Sequence, residues 1–231
     1  IEAQRERFLG LIDSFISLFG DNEAQLLSVP GRSEISGNHT DHNRGCVLAA
    51  AIDLDIIAIV SARTDGKITL KSEGFDADTV VIAEREATKA HRYSSESLIA
   101  GVCDGMLKNG YTVGGFDACT VSTVFKGSGL SSSAAFEVMM GTIFSHLYNG
   151  GKVDNVEIAK MAQFAENKFF GKPCGLMDQM ASAVGNMVTI DFFDKENPVI
   201  ESVDFDFAAC GHALCIIDSR ASHADLTDEY A

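Results

Sequence analysis

The apolar positions set out a mixed succession of helices and strands. Between residues 8 and 19 they fall at Phe8, Leu11, Ile12, Phe15, Ile16 and Phe19, the three-to-four spacing of one helix face. The turn formers Gly20, Asp21 and Asn22 close that helix. A short link at 28–31 and a polar stretch at 32–43 lead into a strand-like run at 46–52. The runs at 54–62 and 67–71 flank Asp65-Gly66 and predict a β-hairpin. Helical patterns follow at 94–108, stopped by Asn109 and Gly110, and at 132–148, with Ala134, Ala135, Val138, Met139 and Ile143 facing inward. Between them, 116–125 predicts a strand that runs straight into a glycine-rich turn. A further helix opens at Asp154, with Glu157 placed for a capping box, and reaches about residue 169; a short one follows Pro173. Runs at 187–193 and 198–204 predict a second hairpin, and 213–218 a buried strand that begins something further. With no strand–helix–strand rhythm, the expectation is an α+β fold, helices lying on a largely antiparallel or mixed sheet.

Composition narrows the class without naming a function. The chain has 231 residues, 46% of them hydrophobic, enough for a sizeable core. No apolar run approaches the roughly 18 residues of a membrane span, and no secretory signal is visible. A net charge of −15 argues against a nucleic-acid surface, which needs clustered Lys and Arg. A single nucleotide is a different matter, since one pocket of backbone N–H groups, a metal and a cation or two suffice. The six cysteines, at 46, 103, 119, 174, 210 and 215, show no paired metal or redox spacing. They are expected to be reduced and mostly buried in a cytoplasmic protein.

The run KGSGLSSSAA at 126–135 lies between a predicted strand and a predicted helix. Glycines allow a tight turn and close backbone approach to a ligand. The helix start then aims free N–H groups and the positive dipole end at an anion. Gly127, Ser128, Gly129, Leu130, Ser131, Ser132 and Ser133 are therefore candidate phosphate-binding positions. A glycine turn with a serine cap is the plainer reading of any lone pair of glycines, but this run is longer. It is not a Walker loop, since no Gly-Lys-Ser/Thr follows, nor a nucleophile elbow.

GLSSSAA at 129–135 resembles the phosphate-binding motif of the GHMP kinases. PGRSEISGNHTDHNRG at 30–45 is similar to the galactokinase signature, usually PGRxNLIGEHTDYxxG, and FGKPCGLMDQ at 170–179 to that family's GxxCGxMDQ motif. HADLTDEY at 223–230 is similar to its HxLxxSEY stretch. The chain is thus identified as a member of the galactokinase family. The resemblance implies the N-terminal lobe of a GHMP kinase at 1–204, with 205–231 opening a second lobe. It implies an ATP- and Mg²⁺-dependent kinase acting on the anomeric hydroxyl of galactose. Asp178 would accept or orient the hydroxyl proton, and Arg32 would pair with it and offset transition-state charge. Ser133 and Glu166 match the family's Mg²⁺ ligands. Asn38, His39, Asp41, Gly175 and Tyr230 match its sugar contacts.

Two departures bear on specificity. The family's sugar-binding Glu is Asn38 here, shorter and neutral, and SEIS at 33–36 replaces the usual xNLI. Many relatives stack adenine near a Trp-x-Asn-Tyr stretch, whereas this chain has no Trp and reads SESL at 95–98. Another hexose or an amino sugar, or a non-catalytic sugar sensor, are the competing readings; the intact catalytic set speaks against the sensor. His42, His91, His146 and His212 read as ordinary packed or surface histidines, and Cys174 as an unactivated thiol. The family's last glycine-rich motif has no counterpart here, so the chain alone is expected to expose an apolar face and to be inactive or unstable.

Overall fold

The structure, a computed structural model, describes residues 4–86, 92–124 and 129–217. The elements are α1 (Arg5–Phe19), β1 (Gln25–Ser36), β2 (Cys46–Arg63), β3 (Lys67–Ser72), β4 (Ala77–Val81), α2 (Ser95–Lys108), β5 (Gly115–Ser122), α3 (Ser132–Tyr148), α4 (Asn155–Ala165), α5 (Met177–Val184), β6 (Met187–Asp191) and β7 (Val199–Ser202). Among the described residues the seven strands form one mixed sheet in the order β4-β3-β5-β2-β6-β7, with β1 against β2. Every pairing is antiparallel except β3 with β5.

The long β2 organises this sheet. One edge lies along β1 from Val60 to Leu48, while its other edge takes β5 opposite 56–63 and β6 opposite 46–50. Alternation along a strand sends neighbours to opposite faces. Ile56, Ala58 and Val60 accordingly join the main core with Phe116, Met139 and Phe144, beneath α2, α3 and α4. Ile57 and Ile59 join Leu11, Phe15 and Cys119 beneath α1 on the opposite face. A third cluster sets Val47 and Ala49 against Leu176, Met177 and Met180 of the α5 region. The helix starts follow the expected chemistry: Ser94 accepts from the Ser97 N–H, and Asp154 from the Val156 N–H. Glu157 lies 3.5 Å from the Lys160 ammonium.

Several expectations need correction. The runs at 54–62 and 67–71 do not pair as a hairpin, because β5 lies between β2 and β3. The parallel β3–β5 pair requires a crossover, supplied by α2, after the chain has first returned through the unpredicted β4. Arg63 secures the crossing, donating to Asp65 in the turn and to Asp117 on β5. The link at 28–31 lies inside β1, where Pro30 is tolerated beside a register shift between Pro30 and Arg32 on a strand paired along one side. Residues 213–217 are exposed and form no strand, so Leu214, Ile216 and Ile217 have no sheet to join. Of the six free cysteines, Cys103 and Cys119 are buried and Cys174 is partly so; Cys46, Cys210 and Cys215 are exposed, against the expectation of mostly buried thiols. Among the described residues no helix is long and apolar enough to cross a membrane.

Ile57 is fully buried between α1 and the sheet. Ile57→Ala should lower unfolding free energy by about 2–5 kcal/mol, seen as a reduced denaturant midpoint at unchanged slope. Leu9→Ala, on the exposed side of α1, should stay within about 0.5 kcal/mol.

Candidate active site

The site forms where β1, the turn before α3 and the start of α5 converge. Arg32 is paired with Ala51 of β2, in the interval between the stretches occupied by β5 and β6. Its side chain reaches Asp178 in the first turn of α5, Nε donating to Oδ1 at 2.8 Å and Nη2 lying 2.7 Å from the same oxygen. Nη1 donates to the Gly129 carbonyl at 2.5 Å, and the Arg32 backbone N–H to the Leu130 carbonyl at 3.3 Å. Arg32 is only 4% exposed. A buried charge left without partners would be costly, so this pairing also fixes the turn and α5 against β1.

Ser131 sits at the left-handed N-cap of α3, with φ 60°. Its hydroxyl donates to Asp178 Oδ2 and makes no cap to its own helix. The N–H groups of Ser133 and Ala134, from which a cap side chain would accept, therefore lack that acceptor, a condition suited to an anion. Leu130 is buried and anchors the turn. Gly127 and Ser128 lie outside the described residues, as does Tyr230.

Asp41 lies in a 3₁₀ turn, Thr40–Asn43, buried against the segment before α5. Its Oδ2 accepts from the Met177 N–H at 3.0 Å and its Oδ1 from the His42 N–H at 2.9 Å. A Cβ at Gly175 would fall 1.8 Å from Asp41 Oδ2, so only glycine permits this approach. Asp41, Gly175 and Asp178 are thereby brought to one place. Asn38 and His39 lie on the exposed turn just before Asp41, and the His39 ring meets the Glu34 carboxylate.

Behind the glycine-rich turn, Ser133 Oγ lies 3.4 Å from Glu166 Oε1 and Lys172 Nζ 3.9 Å from that same oxygen. Glu166 is 3% exposed and opens a π-type turn, Glu166–Phe170, that continues α4. Its other oxygen accepts from Gln179 Nε2 at 2.9 Å, and that amide also donates to Glu137 Oε2 at 3.1 Å. Glu34, Glu137, Lys172 and Gln179 were not picked out as site residues. For Glu137 the signal was available: it follows inward-facing Ala134 by three positions on α3, a charged residue on an apolar stripe. SESL at 95–98 has a structural role instead, beginning α2 with buried Ser97 and Leu98 and setting the Glu96 carboxylate on the Thr79 N–H. Cys174 Sγ is packed among Glu137, Glu166 and Gln179, and its thiol is pushed far above the usual range, first by burial and then by the carboxylates.

This architecture is that of a GHMP kinase N-terminal lobe, and the family model described as GHMP kinases N terminal domain matches residues 97–186. A second family model, the galactokinase galactose-binding signature, matches residues 13–62. The chain belongs to the galactokinase family of the GHMP kinases. It is similar to a galactokinase of Streptomyces coelicolor, 34% identical over 218 residues, covering 94% of this chain and 56% of the relative. The solved structure of Lactococcus lactis galactokinase complexed with galactose superposes with a TM-score of 0.78 at 26% identity, covering 87% of this chain and 53% of that one. Methanococcus jannaschii mevalonate kinase, at 16% identity and a TM-score of 0.65 over 81% of this chain and 58% of its own, shares the fold. The chain spans about half the length of the relatives it matches, 56% and 53% of the two galactokinases.

Glu137 is 0% exposed, and neither its Oε1 nor Gln179 Oε1 has a hydrogen-bond partner among the described residues. Burial, reinforced by the Glu166 charge, pushes the Glu137 carboxyl well above its ordinary 4.5. A protonated Glu137 turns its Oε1 into a donor. The folded chain then keeps a proton that the unfolded chain releases above pH 4.5, so stability falls as pH rises from there. Melting measured against pH with chelator present should show this decline, and Glu137→Gln should flatten it.

Proposed function

We propose that this chain carries the sugar- and nucleotide-binding lobe of an ATP-dependent kinase, at 1–204, with 205–231 opening a second lobe. The reaction is transfer of the γ-phosphoryl group to the anomeric hydroxyl of galactose, giving galactose 1-phosphate. The observation that carries this reading is the junction of Arg32, Asp178 and Ser131 at the glycine-rich turn. A carboxylate offers about four acceptor positions. Arg32 meets Oδ1 with two nitrogens and Ser131 donates once to Oδ2, leaving capacity on Oδ2 for a substrate hydroxyl. Asp178 would orient the hydroxyl and take its proton, and Arg32 would offset the charge that develops on transfer.

Gly127 to Ser133 would hold the phosphates against the start of α3. A hard cation fits Ser133 and Glu166, since Glu166 Oε1 faces the Ser133 hydroxyl at 3.4 Å, with the Lys172 ammonium no nearer than 3.9 Å. Such a pair leaves most positions to water and phosphate, as Mg²⁺ prefers. When bound, Mg²⁺ would neutralise charge on the nucleotide phosphates. Asn38, His39, Asp41, Gly175 and Tyr230 would line the sugar site; Asp41, already accepting two backbone N–H groups, shapes the site as much as it contacts sugar. The substrates place the enzyme in the cytoplasm. One observation favours a different hexose: position 38 carries a neutral amide and the neighbouring carboxylate stands at Glu34.

ADP release from Mg-ATP across a hexose panel, by protein that carries this lobe together with its second lobe, tests the reading. Galactose should drive turnover, and Asp178→Asn should reduce it by about 10²–10⁴-fold while galactose binding persists. Turnover with another hexose alone would transfer the specificity to the Asn38 turn, and sugar binding without turnover would leave a sensor.

A further inference from the structure

The turn that bears His39 adopts a conformation that side chains resist. Gly37, Asn38 and His39 have φ of 134°, 55° and 51°, three successive positive values of which two belong to non-glycine residues. L residues visit this region singly rather than in runs, so something must hold the turn. A Cβ at Gly37 would lie 2.8 Å from Val47 Cα and 2.9 Å from Glu34 Oε1, which places the turn close over β2 and over the Glu34 side chain. Thr40 Oγ1 donates to the Gly37 carbonyl at 2.8 Å. The chief restraint is the Glu34 carboxylate. It accepts from the His39 backbone N–H at 2.9 and 3.2 Å, and its Oε2 lies 2.6 Å from His39 Nδ1. The Glu34 side chain is 11% exposed, whereas that of His39 is 60% exposed. A register shift between Glu34 and Ser36 ends the regular β1 pairing where this carboxylate turns toward the loop.

We infer that Glu34 is a positioning residue of the sugar site, holding the His39 turn and fixing the imidazole with its proton on Nδ1. This rests on the sugar reading of the site for its consequence, though not for its geometry. A carboxylate only accepts, so the nitrogen facing it carries hydrogen. In the neutral ring Nε2 is then an acceptor, ready for a sugar hydroxyl as donor. The carboxylate presents an acceptor at both positions, Oε1 to the His39 backbone N–H at 2.9 Å and Oε2 to Nδ1–H at 2.6 Å. A glutamine that keeps its oxygen on the backbone N–H turns its NH₂ toward Nδ1 and favours the opposite tautomer. Glu34 thus sets which hydrogen-bonding role His39 offers, beside a neutral Asn38 that offers both.

Long-range ¹⁵N–¹H correlation spectra of the histidine rings, with His39 assigned through its loss in His39→Gln, report the hydrogen on each ring nitrogen and test this directly. Wild-type His39 should show a protonated Nδ1 and an unprotonated Nε2. Glu34→Gln should invert the pattern and weaken galactose binding by about tenfold, the order of one lost hydrogen bond. A wild-type ring protonated on Nε2, or spectra unchanged by Glu34→Gln, would overturn the inference. The wild-type spectrum decides even if the variant does not fold. If the tautomer behaves as expected but wild-type protein binds no galactose, the Glu34–His39 positioning stands and the sugar reading of the site fails.

Discussion

A buried guanidinium joins three parts of the chain that are far apart in sequence. Arg32 on β1 meets Asp178 on α5 and the carbonyl of Gly129 before α3, over separations of 146 and 97 residues. Removing a cation of this size from water is unfavourable unless its donors are met. The folded chain meets them with a carboxylate and a turn carbonyl, and so the geometry of the glycine-rich turn and the acidic residue follows from one charge. Ser131 extends the arrangement. By donating to Asp178 it leaves the α3 N-terminus without a side-chain cap, so a polar group is missing where an anion could supply it.

The sheet makes this junction possible. β2 is long enough to carry β6 and β5 in succession along one edge, and Arg32 stands opposite the interval between them. Helices α2 to α4 close one face and α1 the other, so the central strands are apolar on both sides. Polar chemistry is pushed to the ends of strands and the starts of helices. Buried charge departs from this: Arg32 stands beside a register shift within β1, and Glu137 and Glu166 lie inside the helical layer, joined by one glutamine amide. Their burial makes the interior behind the turn responsive to charge.

Much of this was legible in the chain. Helices 94–108 and 132–148 match α2 and α3 closely, because their apolar stripes and polar ends agree. The β6–β7 hairpin was equally readable, since its two runs pair locally. Arg32, Ser131, Ser133 and Asp178 stand in the ordered motifs, while Glu166 lies outside them and rests on the family resemblance alone. The failures share a cause, which is long-range pairing. Asp65-Gly66 marks a real turn, yet the strands on either side are separated by β5, a partner over forty residues away in sequence. β4 is short and half polar, and Pro30 reads as a break because a strand paired along one side and a register shift are invisible locally. The hydrophobic run at 213–217 suggested burial that its surroundings do not supply. Glu34 went unrecognised because its role depends on the folding back of its own loop onto β2, which no spacing rule encodes.

Arg32 and Asp178 act as one unit holding the turn to α5. A double-mutant cycle with Arg32→Gln and Asp178→Asn, read in unfolding free energy, tests it most directly. A coupling of about 1–3 kcal/mol is expected, the upper part of the range for residues in direct contact. Additive effects, with coupling indistinguishable from zero, would contradict it.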